Sequence, residues 1–232
     1  YITDNDNNKL AFPGCQTNDA PARFLLELAK RNGEPIDKIF CLVSKTVYNS
    51  ILPHLKNEDS NFEQEKGKKA FDRFSTLIEN EVGSSIKIIP IYYDFDPNNN
   101  DFDPKDMPAY IYNQIKTSDI EKHIYIDYTG GLRDSSLFMI ALIRYLEFKE
   151  VVCKDIIYSD FFSKPKAIRN IRYIYDMFDM INGVSEFIGT GNARQLVDLQ
   201  KKLENATKND NVNNFVNSLQ SFSDAIALCN VG

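Results

Sequence analysis

Residues 122–160 read KHIYIDYTGGLRDSSLFMIALIRYLEFKEVVCKDIIYSD. A short run rich in Ile and Tyr leads through two adjacent glycines into seventeen strongly apolar residues, 133–149, and out into a second β-branched run. Five or six such residues suit a strand buried on both faces, and the longer segment between them suits a helix. This strand–turn–helix–strand unit predicts two parallel neighbouring strands, because a connection of that length crosses over rather than folding back as a hairpin.

The same alternation extends towards the amino end. Asp19 is positioned to N-cap a helix carrying Pro21 in its first turn, with Phe24, Leu25, Leu28 and Ala29 at helical spacing and Gly33 closing it. Residues 38–43 (KIFCLV) then suit a buried strand, and Ser44, Lys45 and Thr46 the turn leaving its carboxyl end. Residues 62–82 carry an amphipathic helix, 86–93 a strand in which Pro90 indicates an edge or bulge, and 107–116 a further helix. The fold expected over residues 1–163 is α/β: a Rossmann-like, mainly parallel sheet with helices on both faces. After residue 163 the pattern is helical, over 168–188, 193–203 and 211–229, so 164–232 is expected to form a helical appendage that leads towards an effector region. A fold of this kind opens with a buried strand. None precedes Asp19, so that strand is expected upstream of Tyr1 or as a remnant at residues 9–12.

Bulk properties exclude several functions. The 232 residues carry a net charge of −6, which opposes a broad grip on long nucleic acid. No apolar run is long enough to span a bilayer and the first ten residues do not resemble a signal peptide, so a cytoplasmic protein with no membrane segment in this chain is expected. The four cysteines (15, 41, 153 and 229) form no CxxC pair, and only His54 and His123 could assist a metal, so neither disulfides nor a metal site are expected. His123 lies in an apolar strand and reads as a satisfied structural histidine.

Ligands of open α/β sheets gather outside the carboxyl ends of the strands. Residues 16–19, 44–46 and 128–135 should converge there. In the last of these, Gly130 and Gly131 allow positive φ and close backbone approach, and the helix beginning near Arg133 aims its dipole at the same space. Thr129 and Ser135 add hydroxyls, Arg133 adds a fork suited to phosphate oxygens, and Asp134 is placed to read a ribose hydroxyl or cap the helix. The same residues would equally form a plain βα turn with Asp134 or Ser135 as N-cap. Lys45 stands where it could meet a phosphate or remain a solvated lysine. Tyr93, Asp94, Asp96, Ser159 and Asp160 also end strands, but turn chemistry explains them equally well. Neither a Walker A loop nor a GxGxxG fingerprint is present, so ATPase and dinucleotide redox chemistry have no support.

Residues 127–136 (DYTGGLRDSS), residues 17–21 (TNDAP) and residues 158–191, where YSD precedes an isoleucine-rich helix ending in EFIGTG, lie in the order found in CRISPR-associated Rossmann-fold domains. The chain resembles that family over roughly residues 15–192. The resemblance implies a homodimer whose paired loops bind a cyclic oligoadenylate second messenger, with cyclic tetra-adenylate the expected ring and no cofactor. It implies ligand contacts from Thr17 and Asn18 on the first loop, and from Thr129, Gly130, Gly131, Arg133 and Ser135 on the second. Many relatives carry an R-x4-H nuclease. Here Asn49 and Ser118 stand five residues before the two histidines, so that motif is absent and no catalytic residue is assigned. A sensor, a ring nuclease that cleaves its own ligand and a DNA-binding regulator are the three readings, in that order.

Overall fold

A computed structural model describes residues 10–12, 16–51, 68–82, 86–92, 105–115, 122–130, 133–160, 166–204 and 210–229; the side chains of 133–135, 201–204, 210–213, 215, 216 and 227–229 lie outside the description. The chain divides into two units, Tyr1–Asn170 and Ile171–Gly232.

In the first unit, α1 (Asp19–Arg31) leads to β1 (Lys38–Val43), α2 (Lys45–Asn49), α3 (Ala70–Val82), β2 (Lys87–Tyr92), α4 (Met107–Ile115), β3 (His123–Asp127), α5 (Arg133–Phe148), β4 (Val152–Asp160) and β5 (Ala167–Asn170). Strands β1 and β2 pair in parallel, with Cys41 opposite Pro90. Strands β3 and β4 also pair in parallel, with an irregularity between Ile124 and Tyr125, and β5 runs antiparallel to β4. The class is therefore α/β, built from a two-stranded parallel sheet and a three-stranded mixed sheet. Pro90 lies in β2, which has one hydrogen-bonded neighbour in its sheet, the position where a missing N–H is tolerated.

Helices cover both faces. Ile89 and Ile91 of β2 pack with Met107 and Ile111 of α4 and with Leu142 and Leu146 of α5. On the other face, Leu26 of α1 and Ile78 of α3 pack against Ile39 and Ile88, while Phe24 and Leu25 of α1 cover Ile157 of β4. These strands thus have apolar contacts on their helix-covered faces, which is why β1 reads as a near-continuous apolar run after Lys38. Gly33 ends α1 with φ +74°, as its place in the sequence predicts.

Four expectations need correction. Asn18, not Asp19, occupies the N-cap position of α1. Residues 44–46 are not a simple turn: Ser44 caps α2 by accepting the amide of Val47 at 3.1 Å. Residues 167–170 form β5 instead of opening a helix, so the first unit ends at Asn170 and not at 163. Four residues with one isoleucine satisfy either periodicity, and pairing with β4 decides the outcome. Finally, residues 10–12 form no strand; Phe12 packs edge-on against Phe24, ring centroids 5.6 Å apart.

The second unit consists of α6 (Arg172–Thr190), α7 (Arg194–Glu204) and α8 (Asp210–Cys229). Gly191 takes φ +75° to stop α6, and its amide bonds the Phe187 carbonyl at 2.8 Å. The buried Ala193 amide bonds Ser223 Oγ at 3.0 Å, tying the α6–α7 turn to α8. Of the apolar stripe expected on α6, Tyr175 is buried whereas Ile174, Phe178 and Ile181 are exposed. No helix among the described residues is long and apolar enough to cross a membrane.

Candidate functional site

The carboxyl end of β3 and the loop before α1 are held together by one side chain. Asn18 Nδ2 donates to Asp127 Oδ2 at 2.7 Å and to the Thr129 carbonyl at 2.9 Å. Its amide is thus engaged across the loops, and no side-chain cap bond forms at the start of α1. Asp127 closes the turn from below by accepting the Thr129 amide at 2.9 Å. Thr129 is buried, and its Oγ1 accepts the Ser159 amide of β4 at 2.8 Å. The expected ligand hydroxyl is therefore part of the frame that sets the turn.

Gly130 follows with φ +83°, a conformation that L side chains rarely adopt. A Cβ there would meet Thr17 Cγ2 at 3.6 Å, an ordinary contact, so the requirement for glycine is conformational. Thr17 is exposed beside it. Loop residues 17–18 and 127–130 thus form one surface at the carboxyl end of β3. Gly131 lies outside the described residues. Arg133, Asp134 and Ser135 open α5, with their side chains outside the description. Their amides stand at the helix amino end, where orphan N–H groups gather.

Lys45 is the first residue of α2 at the end of β1. The cavity below the loops is bordered by Ser44, Val47 and Tyr48 from that turn. Ser159 and Asp160 are strand residues, not a turn: Ser159 holds Thr129, and Asp160 pairs with Arg169 at 3.0 Å. Tyr93, Asp94, Asp96 and His54 lie outside the described residues. His123 Nδ1 lies 3.1 Å from Glu34 Oε1, in a cluster with Lys154 at the amino end of β3 and away from the loops.

Behind the first loop lies a buried ion pair that sequence reading missed. Arg73 of α3 pairs through Nη1 with Asp19 and bonds Gln16 Oε1 at 3.0 Å. Gln16 in turn donates its amide to Asp19 Oδ2 and its side chain to the Ala70 carbonyl. Asp19 is fully buried and Arg73 5% exposed, so the loop is fastened to α3 in low dielectric. The sequence signal was an arginine on the apolar side of a helix, three residues from Ala70.

Burial pushes the Asp127 carboxyl above its ordinary 3.8, against the lowering effect of the bonds from Thr129 and Asn18. Burial and the neighbouring Asp127 likewise push the Cys41 thiol up to about 12, which leaves it inert. A carboxyl with a higher pKa in the folded state binds its proton more tightly there. Its contribution to stability is fully present below 3.8 and is lost as pH rises through the folded-state value. Asp127→Asn keeps the size but removes that titration. The stability advantage of the wild type over this variant is expected to be largest at acid pH and to shrink towards neutrality. Urea midpoints measured from pH 3 to 8 check this; a constant difference would contradict it.

Among the described residues no group of three or more His, Cys, Asp or Glu side chains converges. Neither a protein-family model nor a curated protein sequence matches the chain.

Proposed function

We propose that this chain is a cytoplasmic sensor domain of Rossmann-like type which binds a cyclic oligoadenylate across a homodimer cleft and relays binding through its carboxyl-terminal helices to an effector. The observation that carries the reading is the Asn18 bridge. It brings the 17–18 loop and the Gly130 turn onto one surface, immediately before the amino end of α5. Orphan helix amides, glycine backbone and the Arg133 guanidinium are the chemistry that phosphodiester oxygens require. The ordered resemblance of residues 15–192 to CRISPR-associated Rossmann-fold domains supplies the ligand class and the dimer.

On this reading Thr17, Gly130, Gly131, Arg133 and Ser135 face the ligand, with Asp134 at a ribose hydroxyl and Lys45 at the border. Asn18 and Thr129 act as positioning residues, since their polar atoms hold the two loops in register. Calorimetric titration with cyclic tri-, tetra- and hexa-adenylate tests it. One ring is expected to bind, at one ligand per two chains. Arg133→Ala should weaken that binding by about 1–3 kcal/mol, the range for a charge-assisted hydrogen bond. Absence of binding to all three rings, or unchanged affinity in the variant, would overturn the assignment.

A further inference from the structure

Helix α6 turns its charges inward and its apolar side chains outward. Tyr175 and Gly183 are buried, and Gly183 lies so close to α7 that a Cβ there would meet Leu196 Cδ2 at 2.8 Å. Phe187 meets Phe222 of α8 edge-on, ring centroids 5.9 Å apart. The four charged residues of the helix, Arg172, Asp176, Asp179 and Glu186, share that packed side and are all partly covered. Arg172 Nε donates to Asp176 Oδ1 at 3.2 Å, and Glu186 Oε1 accepts Asn192 Nδ2 at 2.6 Å. The opposite side exposes Tyr173, Met177, Met180, Ile181, Val184 and Ile188, with Ile174 and Phe178 at its border. At about 3.6 residues per turn, those first six fall within an arc of about 100°. The other exposed residues of α6, Asn182, Ser185, Gly189 and Thr190, are uncharged. A helix at a protein surface normally shows the reverse, with charge outward.

At roughly 200 Å2 for a fully exposed side chain of this size, the apolar residues of this face leave about 800 Å2 uncovered. The largest apolar patch of a typical monomer is about 300–600 Å2, and one side of a standard specific interface is about 800 Å2. The face is of interface size. Its sequence also indicates the occupant. The stripe is symmetric about a point between Met180 and Ile181: Tyr173 and Ile188 stand equally far from it, as do Met177 and Val184. Reversing the helix therefore lays the stripe on itself, the self-complementarity that a two-fold pair of identical surfaces requires. Tyr173 and Met180, Met177 and Val184, and Ile181 and Ile188 are each seven residues apart, the repeat that keeps a seam facing a partner helix. A foreign partner requires no such symmetry, and the face offers it no charge to fix a register.

We infer that the outward face of α6 docks against α6 of a second copy of this chain, the two helices packing antiparallel about a two-fold axis beside Met180 and Ile181. Tyr173 then lies against the partner's Ile188, and Met177 against the partner's Val184. Burying the stripe on itself removes from water the apolar area that one chain leaves exposed. The contact requires no ligand and uses none of the loop residues, so it goes beyond the nucleotide reading and is tested apart from it.

Sedimentation equilibrium of the 232-residue chain, with no nucleotide present, tests it. The wild type should be a dimer at micromolar concentration. Ile181→Glu brings two carboxylates together at the axis and should raise the dimer dissociation constant by at least about a hundredfold. Ile181 is exposed, so the far-UV circular dichroism of the variant should match the wild type. Tyr173→Glu should weaken pairing as well. Adding Ile188→Lys to it should tighten the dimer again by about tenfold, because antiparallel helices set the new charges opposite each other. A monomeric wild type, a dimer indifferent to Ile181→Glu, or a double variant no tighter than Tyr173→Glu alone would overturn the inference. Each of those results leaves the nucleotide reading to its own titration with the three rings.

Discussion

Arg73→Met is expected to destabilise the first unit by about 3–5 kcal/mol, the cost of leaving one charge of a buried pair without its partner. Asp19 sits at the start of α1 with no exposed surface, and the Arg73 guanidinium is its buried cation. Methionine keeps most of the volume and the apolar stem, so the loss reports the charge and not a cavity. The companion Asp19→Leu, Arg73→Met double variant separates these terms. Replacing both members of a buried pair is often neutral, so the double variant should recover much of what the single one loses. Urea unfolding of the wild type, the two single variants Arg73→Met and Asp19→Leu, and the double variant gives the cycle. A single-variant loss below about 1 kcal/mol would mean that the pair behaves as a solvated one. The same change should loosen residues 16–18, because Gln16 reaches both Arg73 and Asp19.

Ile157→Ala carries the second large effect, about 2–5 kcal/mol for an isoleucine cut to alanine in a packed core. The side chain is fully buried in the middle of β4, between Phe24 and Leu25 of α1 and the half-buried Tyr125 and Ile168. Ile157→Val should cost about 0.5–1.5 kcal/mol, so the two variants form a graded pair. Equal losses would show that backbone pairing, not side-chain volume, dominates at this position. The Ile157 carbonyl accepts the Tyr128 amide at 2.8 Å and Ser159 holds Thr129. Packing at this residue thus supports the turn that bears Gly130.

The α/β class was legible because 122–160 alternates two periodicities over lengths that only one element type satisfies. Gly33 was legible because a left-handed helix end has one strongly favoured residue. β5 was not: its four residues abut the isoleucines of α6, and local pattern cannot separate them. The candidate site was legible as a place, the carboxyl end of β3, but its internal division of labour was not. Thr129 and Asn18 carry side chains suited to a ligand, and the fold engages both in holding loops together. Spacing along a chain does not reveal which polar atoms are already satisfied. Arg73 was missed for the same reason, since a partner 54 positions away leaves no local trace.

Pro90 acquires a different meaning once the outer strands of the two sheets are compared. A sheet with open edges is a hazard in a crowded cell, where exposed ladders recruit one another into fibres. Here the perimeter is blunted on both sides: β2 carries a residue with no N–H to offer, and β5 is only four residues long with Arg169 pointing outward. Short strands, proline and charge are the devices that stop sheets from polymerising. At these two outer strands the sheets are therefore closed to further growth.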